Sequence, residues 1–314
     1  MPHVTIREVG LRDGLQSLSH FMPTGAKCAW VAEEHEAGVD EIEVSSFVPP
    51  KLLPQFADVA DVVKFALGLP GLTVSALTPN LKGAERGLAL GVHKLNYVLS
   101  ISEGHNQSNV RRSTAESIED FRRIVALLRG ATPRPVLCCG LATSFGCSIE
   151  GAVDEDRVRR IAGEIAAAGA DELMLADTVG YGNPTAVARL FTAVKREVGD
   201  MIVGAHFHDT RGLGIANVKA ALDVGVRHFD ASLAGLGGCP FAPGATGNIV
   251  TEDTVFLCEQ LGFDTGIDIE KLVHVRAILA DSLPNTELLG NLAKAGLPKH
   301  FSRTPAHARK HAAD

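Results

Sequence analysis

Residues 172–208 read ELMLADTVGYGNPTAVARLFTAVKREVGDMIVGAHFH, and the reading of this stretch decides the fold. An apolar run over 172–177 meets a short glycine-containing loop. Asn183-Pro184-Thr185 then opens an amphipathic segment over 184–198, with a polar cap and a proline where a first helical turn needs them. A second apolar run covers 202–208. Both runs are nearly continuous in hydrophobicity, the pattern of parallel strands covered on both faces. Working outward, the same unit repeats. Strands are expected at 3–9, 40–46, 72–78, 94–101, 135–141, 172–177, 202–208 and 228–234. Helices are expected at 25–37, 54–67, 114–129, 154–168, 184–198 and 213–224, with Ser113-Thr114-Ala115-Glu116 as another cap. Eight strand–helix units in strict alternation indicate an α/β protein with a (β/α)₈ (TIM) barrel, a doubly wound open sheet being the alternative. No linker or internal repeat divides the chain. The expected organisation is one catalytic barrel over 1–300 with a C-terminal helical extension, including a helix over 268–281, and a disordered tail over 301–314.

The chain has 314 residues, 46% hydrophobic and 21% charged, with a formal net charge of −7. That balance is globular and lacks the basic footprint of a nucleic-acid binder. No apolar run reaches the ~20 residues that span a bilayer, and the N-terminus has no signal-peptide pattern. Six cysteines, none in Cys-x-x-Cys spacing, suit reduced thiols in a cytoplasmic protein. Neither nucleic acid nor membrane is expected as a partner.

Barrel chemistry sits where strands end. The first strand runs into Gly10-Leu11-Arg12-Asp13-Gly14-Leu15-Gln16, the second carries Glu43, the sixth ends in Asp177, and the seventh ends in His206-Phe207-His208. His206 and His208 are two apart, so they share one face of a strand. They are either a hydrogen-bonded core pair or two ligands of a divalent cation. Asp13 and Asn248, also at strand ends, offer oxygen ligands. A set of two histidines, one aspartate and one asparagine contains no thiolate, and it favours Mg²⁺ or Mn²⁺ over structural zinc. Arg12 is either an ordinary surface cation or a charge aimed at an oxygen that becomes negative during reaction. Glu43 either orients Arg12 or merely pairs with it. Cys239 stands in a loop with Gly235, Gly237, Gly238, Gly244 and Gly247, so it is either a reactive group on a loop free to close or simple filler. Cys138 and Cys139 lie within a strand and read as core. The loop matches no nucleotide-binding fingerprint.

Together, AGLGGCPFAPGATGN at 234–248, RDGLQ at 12–16, EVSSF at 43–47, DTVG at 177–180 and HFHDT at 206–210 resemble the 3-hydroxy-3-methylglutaryl-CoA lyase family. That family belongs to a larger group of metal-dependent carbon–carbon lyases and condensing synthases on (β/α)₈ barrels. The resemblance covers roughly residues 3–290. It implies an acyl-CoA thioester substrate, cleaved to acetoacetate and acetyl-CoA as in leucine degradation and ketone-body formation. It also implies a divalent cation on Asp13, His206, His208 and Asn248. Catalytic roles fall on Arg12 at the enolate oxygen, on Cys239 in proton transfer and on His206. Glu43 and Asp177 occupy supporting acidic positions. Gln16, Gly237 and Gly238 face the substrate, and a homodimer or higher homo-oligomer is the expected assembly. Condensing synthases usually carry a glycine-glutamate-arginine element where this chain has Gly238-Cys239-Pro240, and an aldolase would be indifferent to coenzyme A. The sequence departs from the family pattern at Leu11 (usually proline), Ser19 (often lysine) and Phe241 (commonly tyrosine), and in the loops 103–112 and 143–147. These departures leave the acyl group open, with citramalyl-CoA as the alternative substrate.

Overall fold

The computed structural model describes residues 1–237, 247–299 and 301. Its strands are β1 (Thr5–Glu8), β2 (Glu41–Ser46), β3 (Thr73–Thr78), β4 (Lys94–Ser100), β5 (Val136–Ala142), β6 (Glu172–Asp177), β7 (Ile202–Phe207) and β8 (His228–Ala231). Each is parallel to the next and β8 pairs back to β1, so the sheet is a closed barrel and not an open one. Helices follow the strands on the outside, from Thr24–Glu36 after β1 to Thr251–Gln260 after β8. Ser113 forms a full capping box with Glu116, and the Asn183 side chain accepts from Ala186 N, so both expected caps are in place. The helix Ile269–Ser282 packs against Thr24–Glu36 and extends the barrel wall. Phe301 packs its ring 5.6 Å from that of Phe256; residues 302–314 of the expected tail lie outside the described residues. No described helix is long and apolar enough to cross a membrane.

Three expectations need correction. The segment 54–67 is not one helix: a 3₁₀ turn over Pro54–Phe56 precedes Val59–Leu67. Asp58, at the junction, turns its carboxylate to Lys27 Nζ at 2.7 Å and does not cap the helix. The loop at 103–112 contains a helix, Glu103–Val110, started by Ser102 Oγ accepting from His105 N at 3.1 Å. Its composition is polar except for Val110 and carries no apolar period, so only the cap signals it. Finally, β8 stops at Ala231 and not at 234. Glu8 accepts from Leu233 N at 3.0 Å and Glu252 accepts from Ala234 N at 3.1 Å. These two carboxylates fold the chain into a tight turn with Ala234 at φ +58°.

The barrel interior is charged. Arg7 donates through Nε and Nη2 to the two oxygens of Asp230, both at 2.8 Å, and through Nη1 to Asn96 Oδ1 at 2.9 Å. Below this layer, Lys94 Nζ lies 2.8 Å from Glu41 and 2.9 Å from Glu172.

Beside the barrel, Glu8, Glu34 and Glu252 are fully buried together. Burial raises all three carboxyls, Glu8 from 4.5 to about 7 and Glu34 well above the usual range, with the charge of Glu8 adding to the effect on Glu34. The folded protein therefore keeps protons that the unfolded chain releases near 4.5. This contribution to stability is full below that value and is lost as pH rises through about 7. Glu34→Gln removes one of these protons from the balance. Calorimetry of the variant should show a smaller fall in Tm between about pH 5 and about pH 8 than the wild type does. An unchanged fall would show that Glu34 does not hold such a proton.

Candidate active site

The chain leaves β1 through a π turn, Gly10–Gly14, in which Asp13 N donates to Val9 O at 2.7 Å. Glycine is required at its start: a Cβ on Gly10 would lie 2.5 Å from Glu8 Oε1 and 2.8 Å from Trp30. The turn presents Arg12 and Asp13 side by side at the barrel mouth, a common use of π geometry. Arg12 Nε donates to Glu43 Oε2 at 2.5 Å, while its Nη1 donates to Asp13 Oδ1. Glu43 is held in turn by Asn96 Nδ2 at 2.8 Å. The guanidinium is thus a fixed cation, oriented by Glu43.

Across the mouth, His206 and His208 face inward from the end of β7. Their Nε2 atoms are 3.0 Å apart, and Asp13 Oδ2 lies 3.5 Å from that of His208 and 3.9 Å from that of His206. Ligands at about 2.1 Å from an octahedral cation stand ~3.0 Å apart when adjacent and ~4.2 Å apart when opposite. The three separations, 3.0, 3.5 and 3.9 Å, lie within these bounds, close enough for one cation to be shared. Asn248 donates Nδ2 to Asp13 Oδ2 at 2.8 Å and to Leu236 O at 3.1 Å. Its Oδ1 is buried with no hydrogen-bond partner among the described residues. The donors are imidazole nitrogen and carboxylate or amide oxygen, with no thiolate, a set that fits a divalent cation. Burial disfavours the charged form of Asp13, but Arg12 and the two histidines outweigh it and hold the carboxyl well below its usual range. Burial likewise opposes protonation of His206, and the bond and charge of Asp230 overcome it, raising that pKa.

Asp230 is one residue that sequence reasoning missed. It pairs in register with His206, and its Oδ2 lies 3.0 Å from His206 Nδ1, so the opposite nitrogen is aimed at the cation site. The available signal was a carboxylate between apolar neighbours inside a strand, Phe229-Asp230-Ala231, alongside a similar oddity at Arg7. Asn96, which joins Arg7 to Glu43, was missed for the same reason.

The other expected residues divide. Asp177 stays outside the cluster: it is buried, and its oxygens accept from Tyr181 N at 2.8 Å and Gly182 N at 2.9 Å, shaping the loop after β6. Gln16 is half-buried, in the helical turn just beyond Asp13. Gly237 has a packing reason of its own, since a Cβ there would lie 2.6 Å from Asn248 Nδ2 at a φ of +121°. Gly238 and Cys239 lie outside the described residues.

Comparison with known proteins is decisive at this point. The family model described as HMGL-like matches residues 3–279. The chain belongs to the HMGL-like family. It is a carbon–carbon lyase. A hydroxymethylglutaryl-CoA lyase of Bacillus subtilis is 39% identical over 272 residues, 86% of this chain and 90% of that protein. An (R)-citramalyl-CoA lyase of Chloroflexus aurantiacus is 39% identical over 321 residues, 97% of this chain and 99% of that protein. Among solved structures, an HMG-CoA lyase of Acinetobacter baumannii in complex with coenzyme A and 3-methylmalate superposes with a TM-score of 0.89. It is 39% identical, with 96% of this chain and 98% of that one covered.

In this HMGL-like chain, Asp230→Asn keeps the shape of the side chain but weakens the acceptor that orients His206. Mn²⁺ titration followed by electron paramagnetic resonance should show affinity lowered about 10- to 100-fold. Wild-type affinity in the variant would remove Asp230 from that role.

Proposed function

We propose that the protein is a divalent-metal-dependent 3-hydroxy-3-methylglutaryl-CoA lyase, releasing acetoacetate and acetyl-CoA. The observation that carries the reading is the convergence of Asp13, His206 and His208, whose ligand atoms lie within 4.8 Å of one another, beside the clamped Arg12 of an HMGL-like barrel. Asp13, His206, His208 and Asn248 would hold Mg²⁺ or Mn²⁺, which would supply Lewis acidity for deprotonation of the substrate's tertiary hydroxyl.

The remaining steps belong to the chain's own groups. The hydroxyl proton leaves through a relay to Asp13 or His206, because the lone pairs these residues turn to the mouth are the ones offered to the cation. The oxygen's electron pair closes the ketone as the bond between carbons 2 and 3 breaks, and the pair from that bond becomes the enolate of acetyl-CoA. Arg12, kept rigid by Glu43, neutralises the enolate oxygen without having to reorganise. Cys239 returns a proton to carbon 2. The Chloroflexus relative, aligned almost end to end, supports citramalyl-CoA as a second reading, because the same bond relative to the thioester would break.

Metal-free enzyme, prepared with a chelator, should cleave neither thioester, and added Mg²⁺ or Mn²⁺ should restore cleavage. Cys239→Ala should lower turnover about 10²- to 10⁴-fold, with Mn²⁺ affinity near that of the wild type. Full activity without metal would overturn the proposed chemistry, and a near-normal rate for Cys239→Ala would remove the thiol from it. Preference in kcat/KM between the two thioesters decides the acyl group.

A further inference from the structure

The wall of the barrel mouth that faces the metal-binding side has no assigned part in the reaction. In an eight-stranded barrel, strands four apart face each other, so β3 and β4 stand opposite β7 and β8. Asn96 on β4 points inward, since it reaches both Arg7 and Glu43. Side chains alternate along a strand, so Val98 points inward as well, one level nearer the mouth. Register carries the assignment sideways: Leu77 pairs with Asn96, and Gly140 pairs with both Val98 and Met174. Met174 is itself inward, because its Sδ receives Arg7 Nη2 at 3.2 Å. Leu77, Val98 and Gly140 therefore line the mouth together. They are half-exposed, whereas Asn96 and Met174 beneath them are 5% and 2% exposed.

Gly140 is informative because the fold does not call for it. A Cβ there would meet only Tyr97 O at 3.8 Å and Val98 Cγ2 at 3.9 Å, both ordinary contacts, and its φ is not in the left-handed region. Glycine inside a strand weakens it, and it often marks a place where a ligand approaches the backbone. Here it leaves open space on an apolar wall across from the cation site. Leu77 and Val98 offer no hydrogen bond there, so a polar group pressed against them would lose hydration without compensation.

We propose that Leu77, Val98 and Gly140 form an apolar recess for the substituent on the substrate's third carbon, and that Gly140 admits alkyl branches longer than methyl. The assignment rests on the lyase reading above: with the tertiary hydroxyl at Asp13, His206 and His208, the alkyl branch turns across the mouth toward β3–β5. Gly140 and Val98 are then specificity-determining residues. The substrate class is that of 3-hydroxy-3-alkylglutaryl-CoA thioesters.

The test compares 3-hydroxy-3-methylglutaryl-CoA with its homologue carrying a butyl branch in place of methyl. Wild-type enzyme with Mg²⁺ should cleave both. Gly140→Val should lower the butyl-to-methyl ratio of kcat/KM by about 10-fold or more, the scale of hydrophobic-pocket discrimination. Gly140→Ala should move it the same way by less, and Val98→Ala should move it upward. A ratio does not depend on the fraction of folded enzyme, and general damage would not move it in opposite directions. Wild-type enzyme that cleaves the methyl substrate and rejects the butyl one, or a ratio that all three variants leave unchanged, would overturn the recess. Cleavage of neither thioester by metal-loaded wild-type enzyme would instead overturn the lyase reading on which it rests.

Discussion

An ion pair at the centre of the barrel sets the geometry of everything above it. Arg7 and Asp230 are each 3% exposed, and stripping water from two such charges costs several kcal/mol per ion unless every donor and acceptor is matched. They are matched: two parallel hydrogen bonds join the pair, Asn96 takes a third donor of Arg7, and His206 faces the second oxygen of Asp230. The charges that surround Asp230 hold its carboxyl well below the usual range despite burial, so it remains an anion beneath the site. Barrel interiors of this class are ordinarily filled with branched apolar side chains. Here the filling is also the foundation of the active site.

Two arms rise from that pair. One runs through Asp230 to His206 and fixes which imidazole nitrogen faces Asp13 and His208. The other runs through Asn96 to Glu43 and fixes the Arg12 guanidinium. In the proposed chemistry the arms serve different ends: the first arranges ligands for a cation, and the second arranges a cation of the protein's own for an enolate oxygen. They meet again at Asp13, which accepts from Arg12 on one oxygen and turns the other toward the imidazoles. Glu8 and Glu252, by gripping the turn after β8, determine where the chain leaves toward the glycine-rich loop and returns with Asn248.

The closed barrel was legible because eight apolar runs alternate with amphipathic ones. His206, His208, Asp13 and Arg12 were conspicuous as polar residues at strand ends, and Glu43 as a charge within β2 close to Ser45. Asp230, Arg7 and Asn96 were not. They sit within strands, where a single sequence does not tell which inward charge will find its partner across the barrel. Asp177 shows the converse: at a strand end it reads as part of the site, yet its carboxylate is spent on two backbone amides of its own loop. The helix at Glu103–Val110 was hidden by polar composition, since periodicity reports burial of an apolar stripe and this helix has none to bury.

The separation of the two arms is the central claim, and Arg12→Met examines it directly. Turnover of metal-loaded enzyme and Mn²⁺ affinity would be measured on the same preparation. Turnover should fall about 10²- to 10³-fold, the scale of losing one preorganised charge-stabilising group, while Mn²⁺ binds with nearly wild-type affinity. Loss of Mn²⁺ binding together with activity would contradict the account, because Arg12 would then serve only to hold Asp13 in place.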